Sequence, residues 1–202
     1  MKQKISVILP VHNIEKQLVA LACDCLEMAG DVKADCEIVI IDDASTDTTH
    51  DIAESLSLEY PQIKVVAQWQ NRGLERAIAK GLQQTTGNLL YIYYVSSGHV
   101  VPQIPFFYDA MSFADAVLGR FVKENSDFVG MGMFKRHIVQ TLGNRIADSE
   151  KTVTLLKEKR VRYLELRYEK PDGQRDDEFN LNQFNRPTYQ ARHESRPATF
   201  TS

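Results

Sequence analysis

The sequence predicts an α/β protein built on a parallel sheet, and three observations predict it. Short apolar runs alternate with helical patterns through the first half of the chain. Those runs are continuously apolar rather than alternating, as strands buried on both faces are. Each run reaches the next through one helix-sized segment, which implies right-handed crossovers and a parallel sheet. In such sheets ligands sit at the carboxyl ends of the strands.

Taken in order, the first run is 4–9 (KISVIL), followed by Leu18, Leu21, Ala22, Cys25 and Leu26 at helical spacing. The second is 37–41 (EIVII), followed less cleanly by Ile52, Ala53, Leu56 and Leu58. The third is 63–67 (IKVVA), followed by Leu74, Ala77, Ile78, Gly81 and Leu82, with Gly87 placed to stop that helix. The fourth is 89–95 (LLYIYYV). Pro102 and Pro105 then precede an aromatic helix-like stretch, and 116–118 reads as a further strand. Residues 136–141 and 152–159 look helical, and 161–168 (VRYLELRY) alternates like a strand with one exposed face. Residues 171–202 are polar with few aliphatic side chains and read as a tail, disordered or wrapped on a partner subunit. Phe179, Phe184 and Tyr189, spaced along that tail, suggest a homo-oligomer held through it. The expected organisation is therefore one domain over 1–170 and a tail over 171–202.

The 202 residues, with 25% charged and 43% hydrophobic, have the composition of an ordinary soluble globular protein. A net charge of −3 gives no electrostatic reason to expect nucleic acid or an anionic surface. No stretch is apolar for long enough to span a membrane, and the N-terminal apolar run is too short for a signal peptide, so the expected location is cytoplasmic. Cys23, Cys25 and Cys36 lack zinc spacing and read as reduced, partly buried residues.

The chemistry gathers at the ends of the runs. The first ends in Pro10-Val11-His12-Asn13 and the second in Asp42-Asp43-Ala44-Ser45-Thr46-Asp47, adjacent on one edge of the sheet. A ring at His12 can stack on a nucleobase, and a carboxylate at Asp42 or Asp43 can accept from base or ribose donors. The acidic turn alone reads more readily as a cap for the next helix. The two motifs together favour a nucleotide. After the third run, Asn71-Arg72-Gly73-Leu74 opens a helix, where Gly73 permits a tight turn and Arg72 suits a phosphate. A capped helix start with a solvated Arg is the alternative. The turn after the first run has no Gly-x-Gly-x-x-Gly, which argues against a dinucleotide binder.

ISVILPVHN, then EIVIIDDASTDTTHDIA, then NRGLERAIAKGLQQTTGN resembles the family-2 nucleotide-diphospho-sugar glycosyltransferases, and within them the dolichyl-phosphate-mannose-synthase-like group. The likeness runs from Ile5 to Tyr94 and continues more weakly through 114–120. It implies a GT-A type fold, a three-layer sandwich around a mainly parallel sheet, with a nucleotide-binding half over 1–95 and an acceptor-side half over 96–170. It implies a UDP- or GDP-linked sugar as partner and transfer with inversion, often at a membrane face. By the same resemblance Pro10, His12, Asp42 and Asp43 contact the nucleotide; Arg72, Ser96 and Arg120 are further expected members of the nucleotide site.

Three departures bear on mechanism. The family's Asp-x-Asp, which holds Mg²⁺ or Mn²⁺ against the diphosphate, falls at Tyr94-Val95-Ser96, and those residues supply no carboxylate. His99 nearby is a lone imidazole. Losing the metal without a substitute removes several kcal/mol of transition-state stabilisation. Ile14 stands where the group often has Glu, with Glu15 next, and the later strand's Gly-Ser-Arg end is altered to Gly119-Arg120-Phe121. An inverting transferase also needs a carboxylate base. Asp148 is the candidate, with Glu150 behind it, and its alternative reading is a cap for the following helix. His137, beside Lys135 and Arg136, reads as solvated surface. Two functions follow: a transferase in which Arg72, Arg120 or helix amides neutralise the diphosphate without metal, or a protein that keeps the scaffold and acts as a binding partner or regulator.

Overall fold

A computed structural model describes residues 3–32, 34–94, 103–122, 128–169 and 188–191. The chain runs Lys4–Val11 (β1), Leu18–Asp31 (α1), Asp35–Asp42 (β2), Thr49–Glu59 (α2), Ile63–Ala67 (β3), Leu74–Leu82 (α3), Leu89–Tyr93 (β4) and Ile104–Ala110 (α4). It continues through Ala116–Val122 (β5), Phe128–Lys135 (β6), Arg136–Leu142 (α5), a 3-10 turn over Gly143–Ala147, Ser149–Glu158 (α6), Tyr163–Glu169 (β7) and Thr188–Ala191 (β8).

The described strands form one sheet in the order β3-β2-β1-β4-β6-β5-β7-β8. β1 pairs parallel with β2 and β4, β2 with β3, and β5 with β7. β6 runs against both β4 and β5, and β8 runs against β7. Side chains alternate across the pleat, so Ile5, Val7 and Leu9 join one core and Ile8 joins the other. The first core is closed by α1, α2 and α4, the second by α3, α5, the 3-10 turn and α6. Because β6 reverses direction, β5 and β7 end on the same edge as β1, β2 and β4.

Several expectations are corrected. β6 is missing from the sequence reading because Gly130 and Gly132 interrupt its apolar pattern. Gly132 is small for a reason: a Cβ there would lie 2.5 Å from the Phe134 ring. Gly87 does not end α3, which stops at Leu82. It lies where β4 begins against β1, and a Cβ would stand 2.6 Å from the Lys4 carbonyl oxygen. Leu58 is 89% exposed, so the buried stripe of α2 is Thr49, Ala53 and Leu56. The strand over 161–168 has no exposed face of the expected kind, because Glu165 is buried between β7 and β5. The tail is not uniformly free either: Thr188–Ala191 adds β8 to the chain's own β7. The remainder of 171–202 lies outside the described residues.

Candidate functional site

β1 and β2 leave the sheet side by side, and the loops that follow are laced together. The Asn13 amide donates to Ser45 Oγ at 3.0 Å, and Asn13 Oδ1 accepts from the Thr46 amide at 2.8 Å. Glu15 Oε2 accepts from the Thr48 amide at 3.2 Å and its hydroxyl at 2.7 Å, so this carboxylate holds the start of α2. Asn13 and Ala44 take left-handed backbone, φ 52° and 58°, to make these turns.

Asp43 is 5% exposed and is committed within the fold. Its Oδ1 accepts from Gln68 Nε2 at 2.8 Å and the Arg72 amide at 2.9 Å, and its Oδ2 accepts from the Gly73 amide at 2.9 Å. The carboxylate thus clamps the Asn71–Arg72–Gly73 turn, where Gly73 has φ 84°, and so fixes where α3 begins. The Asp43 carbonyl accepts from His12 Nδ1 at 3.0 Å, which orients the imidazole. Asp42 turns away: Oδ1 accepts from the Ser45 amide at 3.0 Å and Oδ2 lies 3.2 Å from His50 Nδ1.

A cleft of about 110 Å³ opens between these elements, lined by Pro10, Val11, His12, Asp43, Asn71, Leu74 and Ala77. It brings together Pro10, His12 and Asp43 of the sequence-predicted residues. Neither Asp42 nor Arg72 is in its lining; the Arg72 amide is held by Asp43, and its side chain is exposed. Arg120 lies elsewhere: β6 separates its strand from β4, and its guanidinium is bound to buried Glu165 at 3.2 and 3.3 Å. Ser96 lies outside the described residues. A larger depression of about 850 Å³ sits at the opposite edge, among Lys4, Cys36, Glu37, Tyr60 and Lys64. Parallel sheets bind at the carboxyl edge, so volume does not decide here. The thiol of Cys36 in that depression is pushed up to about 12, by burial first and then by the charge of Glu37, so it stays protonated.

A family model described as glycosyl transferase family 2 matches residues 6–176. The chain belongs to glycosyl transferase family 2. Among curated relatives, a dolichol-phosphate mannosyltransferase of Pyrococcus furiosus is 30% identical over 122 residues, 59% of this chain and 34% of the relative. A cholesterol galactosyltransferase of Borreliella burgdorferi is 36% identical over 93 residues, 46% of this chain and 24% of the relative. The chain spans about a third or less of the length of these relatives. Among solved structures, mannosyltransferase PcManGT of Pyrobaculum calidifontis, in complex with GDP-Man and Mn²⁺, superimposes with TM-score 0.59 at 19% identity, covering 81% of this chain and 54% of that one. Glucosyl-3-phosphoglycerate synthase of Mycobacterium tuberculosis, with Mn²⁺, UDP and glucosyl-3-phosphoglycerate, gives 0.60 at 16% identity, covering 77% and 66%. The fold is that of the GT-A glycosyltransferases.

The end of β4 is where the resemblance expects the family's metal motif. Tyr94 stands first in the position that the resemblance gives to the metal motif, and Val95 and Ser96 lie outside the described residues. Its side chain is buried and its hydroxyl donates to the Ile146 carbonyl at 2.8 Å. Burial pushes that phenol well above its ordinary range. A neutral, engaged phenol is a poor ligand for a hard divalent cation. Among the described residues no three His, Cys, Asp or Glu side chains gather as a metal site would require. Asp148 caps α6, its Oδ1 accepting from the Glu150 and Lys151 amides at 3.0 Å each. Its Oδ2 pairs with the Lys151 ammonium. Burial tends to raise this carboxyl, but the bonds from Lys151 and the two amides outweigh it and hold the group below the usual range. Asn71 and Leu74 join the cleft lining, and Lys151 joins Asp148. Asn71 and Leu74 were legible in the Asn-Arg-Gly-Leu motif, whereas Lys151 carried no signal beyond its spacing of three from Asp148.

Proposed function

We propose that this chain carries the donor site of a glycosyltransferase that moves a sugar from a UDP- or GDP-linked donor to an acceptor hydroxyl or lipid phosphate, with inversion at the sugar's anomeric carbon. The cleft beside His12 supports this best. Small-molecule sites measure about 300–1,000 Å³, so a cleft of about 110 Å³ takes one planar ring and leaves ribose and diphosphate to run along the sheet edge. The imidazole, oriented by the Asp43 carbonyl, stacks on the base, and the exposed Arg72 side chain reaches toward the phosphates. The acceptor oxygen attacks the anomeric carbon, its proton passes to Asp148, and the bond to the β-phosphate oxygen breaks with its electron pair leaving on the nucleoside diphosphate. Two relatives are named for lipid acceptors, which supports an acceptor presented at a membrane face, although no helix among the described residues is long and apolar enough to cross a membrane.

Tyr94 favours a second reading, a nucleotide-binding protein without transfer. Calorimetric titration with UDP and GDP, each with and without Mn²⁺, separates the readings when joined to an assay for donor hydrolysis. We expect binding, and a loss of about tenfold or more in His12→Ala, since base stacking contributes about 1–3 kcal/mol. Trp69, the chain's one tryptophan, is 99% exposed two residues before Asn71 and gives a fluorescence readout of the same event. Binding without hydrolysis or transfer would favour the second reading. No binding of either nucleotide would defeat both.

A further inference from the structure

Under the transferase reading, a diphosphate leaves with growing negative charge, and some cation has to meet it. Arg72 approaches the phosphates from the cleft side, but at the end of β4 Tyr94 does not suit a divalent ion, and Arg120 is bound to Glu165 in a neighbouring part of the sheet. Among the described residues, the start of α6 packs against Tyr94. The Tyr94 hydroxyl and Thr152 Oγ1 both donate to the Ile146 carbonyl, at 2.8 and 3.0 Å, which fixes the first turn of α6 against the end of β4. Two residues beyond Ile146, Asp148 holds Lys151. The ammonium also feels Glu75 in the first turn of α3, and Glu75 follows Leu74, a wall of the ring-sized cleft. Lys151 thus sits in the first turn of α6, which Tyr94 and Thr152 tie to the end of β4, with the charge of Glu75 at the start of α3 acting on it. Its side chain is 68% exposed.

We propose that Lys151 leaves Asp148 to meet the donor's diphosphate, standing in for the divalent ion at this site. This rests on the transferase reading above. The two oxygens of Asp148 make the exchange feasible. Oδ1 alone accepts both backbone amides of the helix cap, while Oδ2 alone holds the ammonium. When Lys151 moves to the phosphates, the cap stays intact and Oδ2 is free to take the acceptor's proton. Capping the helix and serving as base are then compatible roles, divided between the two oxygens of one carboxylate.

The test compares UDP and GDP with uridine and guanosine, by calorimetry and competition, in EDTA and in Mn²⁺. A charge-assisted bond contributes enough that Lys151→Ala should weaken the diphosphate about 10- to 100-fold. The nucleoside should bind as before, Lys151→Arg should recover most of the affinity, and Lys157→Ala at the far end of α6 should change nothing. Thermal melting checks that Lys151→Ala keeps its fold, which the cap geometry predicts. Equal diphosphate affinity in Lys151→Ala and the parent, or diphosphate binding seen only with Mn²⁺, would overturn the inference while leaving the donor site standing. No binding of either nucleotide or nucleoside would overturn the transferase reading with it.

Discussion

Glu37 shows how much one side chain holds at the edge away from the cleft. It is 3% exposed, accepts from Ser6 Oγ at 2.6 Å and from the Thr86 and Gly87 amides, and faces Lys4 at 3.0 Å and Lys64 at 3.1 Å. Burial by itself raises its carboxyl, but the bonds from Ser6, Thr86 and the lysines outweigh that and hold it well below the usual range. A folded-state value below the unfolded one, about 4.3, contributes stability above that pH and loses it as pH falls toward the folded value. Glu37→Gln should therefore cost about 3 kcal/mol at neutral pH, because the amide keeps one acceptor oxygen but loses the charge and turns an NH2 toward donors, the Lys4 and Lys64 ammoniums among them. It should also flatten the acid limb of stability below about pH 4.5. Thermal unfolding of both proteins across that range measures this. Parallel acid limbs would show that Glu37 is not the group being protonated.

At the level of elements, the glycines separate space from conformation. Gly87→Ala places a methyl 2.6 Å from the Lys4 carbonyl oxygen and Ser6 Oγ, so β4 has to shift against β1. The expected loss is about 2 kcal/mol or more. Gly30 lies in α1 with nothing within 4 Å of its missing Cβ, so Gly30→Ala should stabilise by about 0.5–1 kcal/mol. Denaturant titration of the pair checks both signs at once. The same contrast explains what could be read in advance. β1, β2 and β4 carry continuous apolar runs because helices cover both faces, and they are legible for that reason, while β3, at the sheet edge, is legible from its short Val-rich run despite an exposed Lys64. β6 is not, since two of its side chains are hydrogens. The charged positions of β7 look solvent-facing in sequence, yet Glu165 is buried against Arg120, which no local pattern reveals.

For the molecule as a whole, one sheet carries both halves of the chain, and the antiparallel β6 joins them. That Pro10, His12, Asp43 and the Asn71–Gly73 turn lie together was legible because a parallel sheet sends consecutive strand ends to one edge. The grouping of Tyr94, Asp148 and Lys151 was not, because it depends on β6 and α5 returning the chain to that edge. At the far side, β8 covers β7 from Leu164 to Arg167. Removing residues 170–202 should uncover those backbone groups and promote edge-to-edge association, because an unpaired strand is a template for pairing. Light scattering should show a rise in mass over the full chain. An unchanged or lower mass would mean that β8 does not protect that edge.

The clamp that Asp43 forms on the turn before α3 changes what its retention means to anyone scanning genomes. A lineage that had stopped transferring sugars would still be selected to keep this aspartate, because the turn and the start of α3 depend on it. Asp43 in this chain is thus held by architecture, and a test for transfer belongs instead on the residues at 94, 148 and 151 that the proposals above put at the diphosphate.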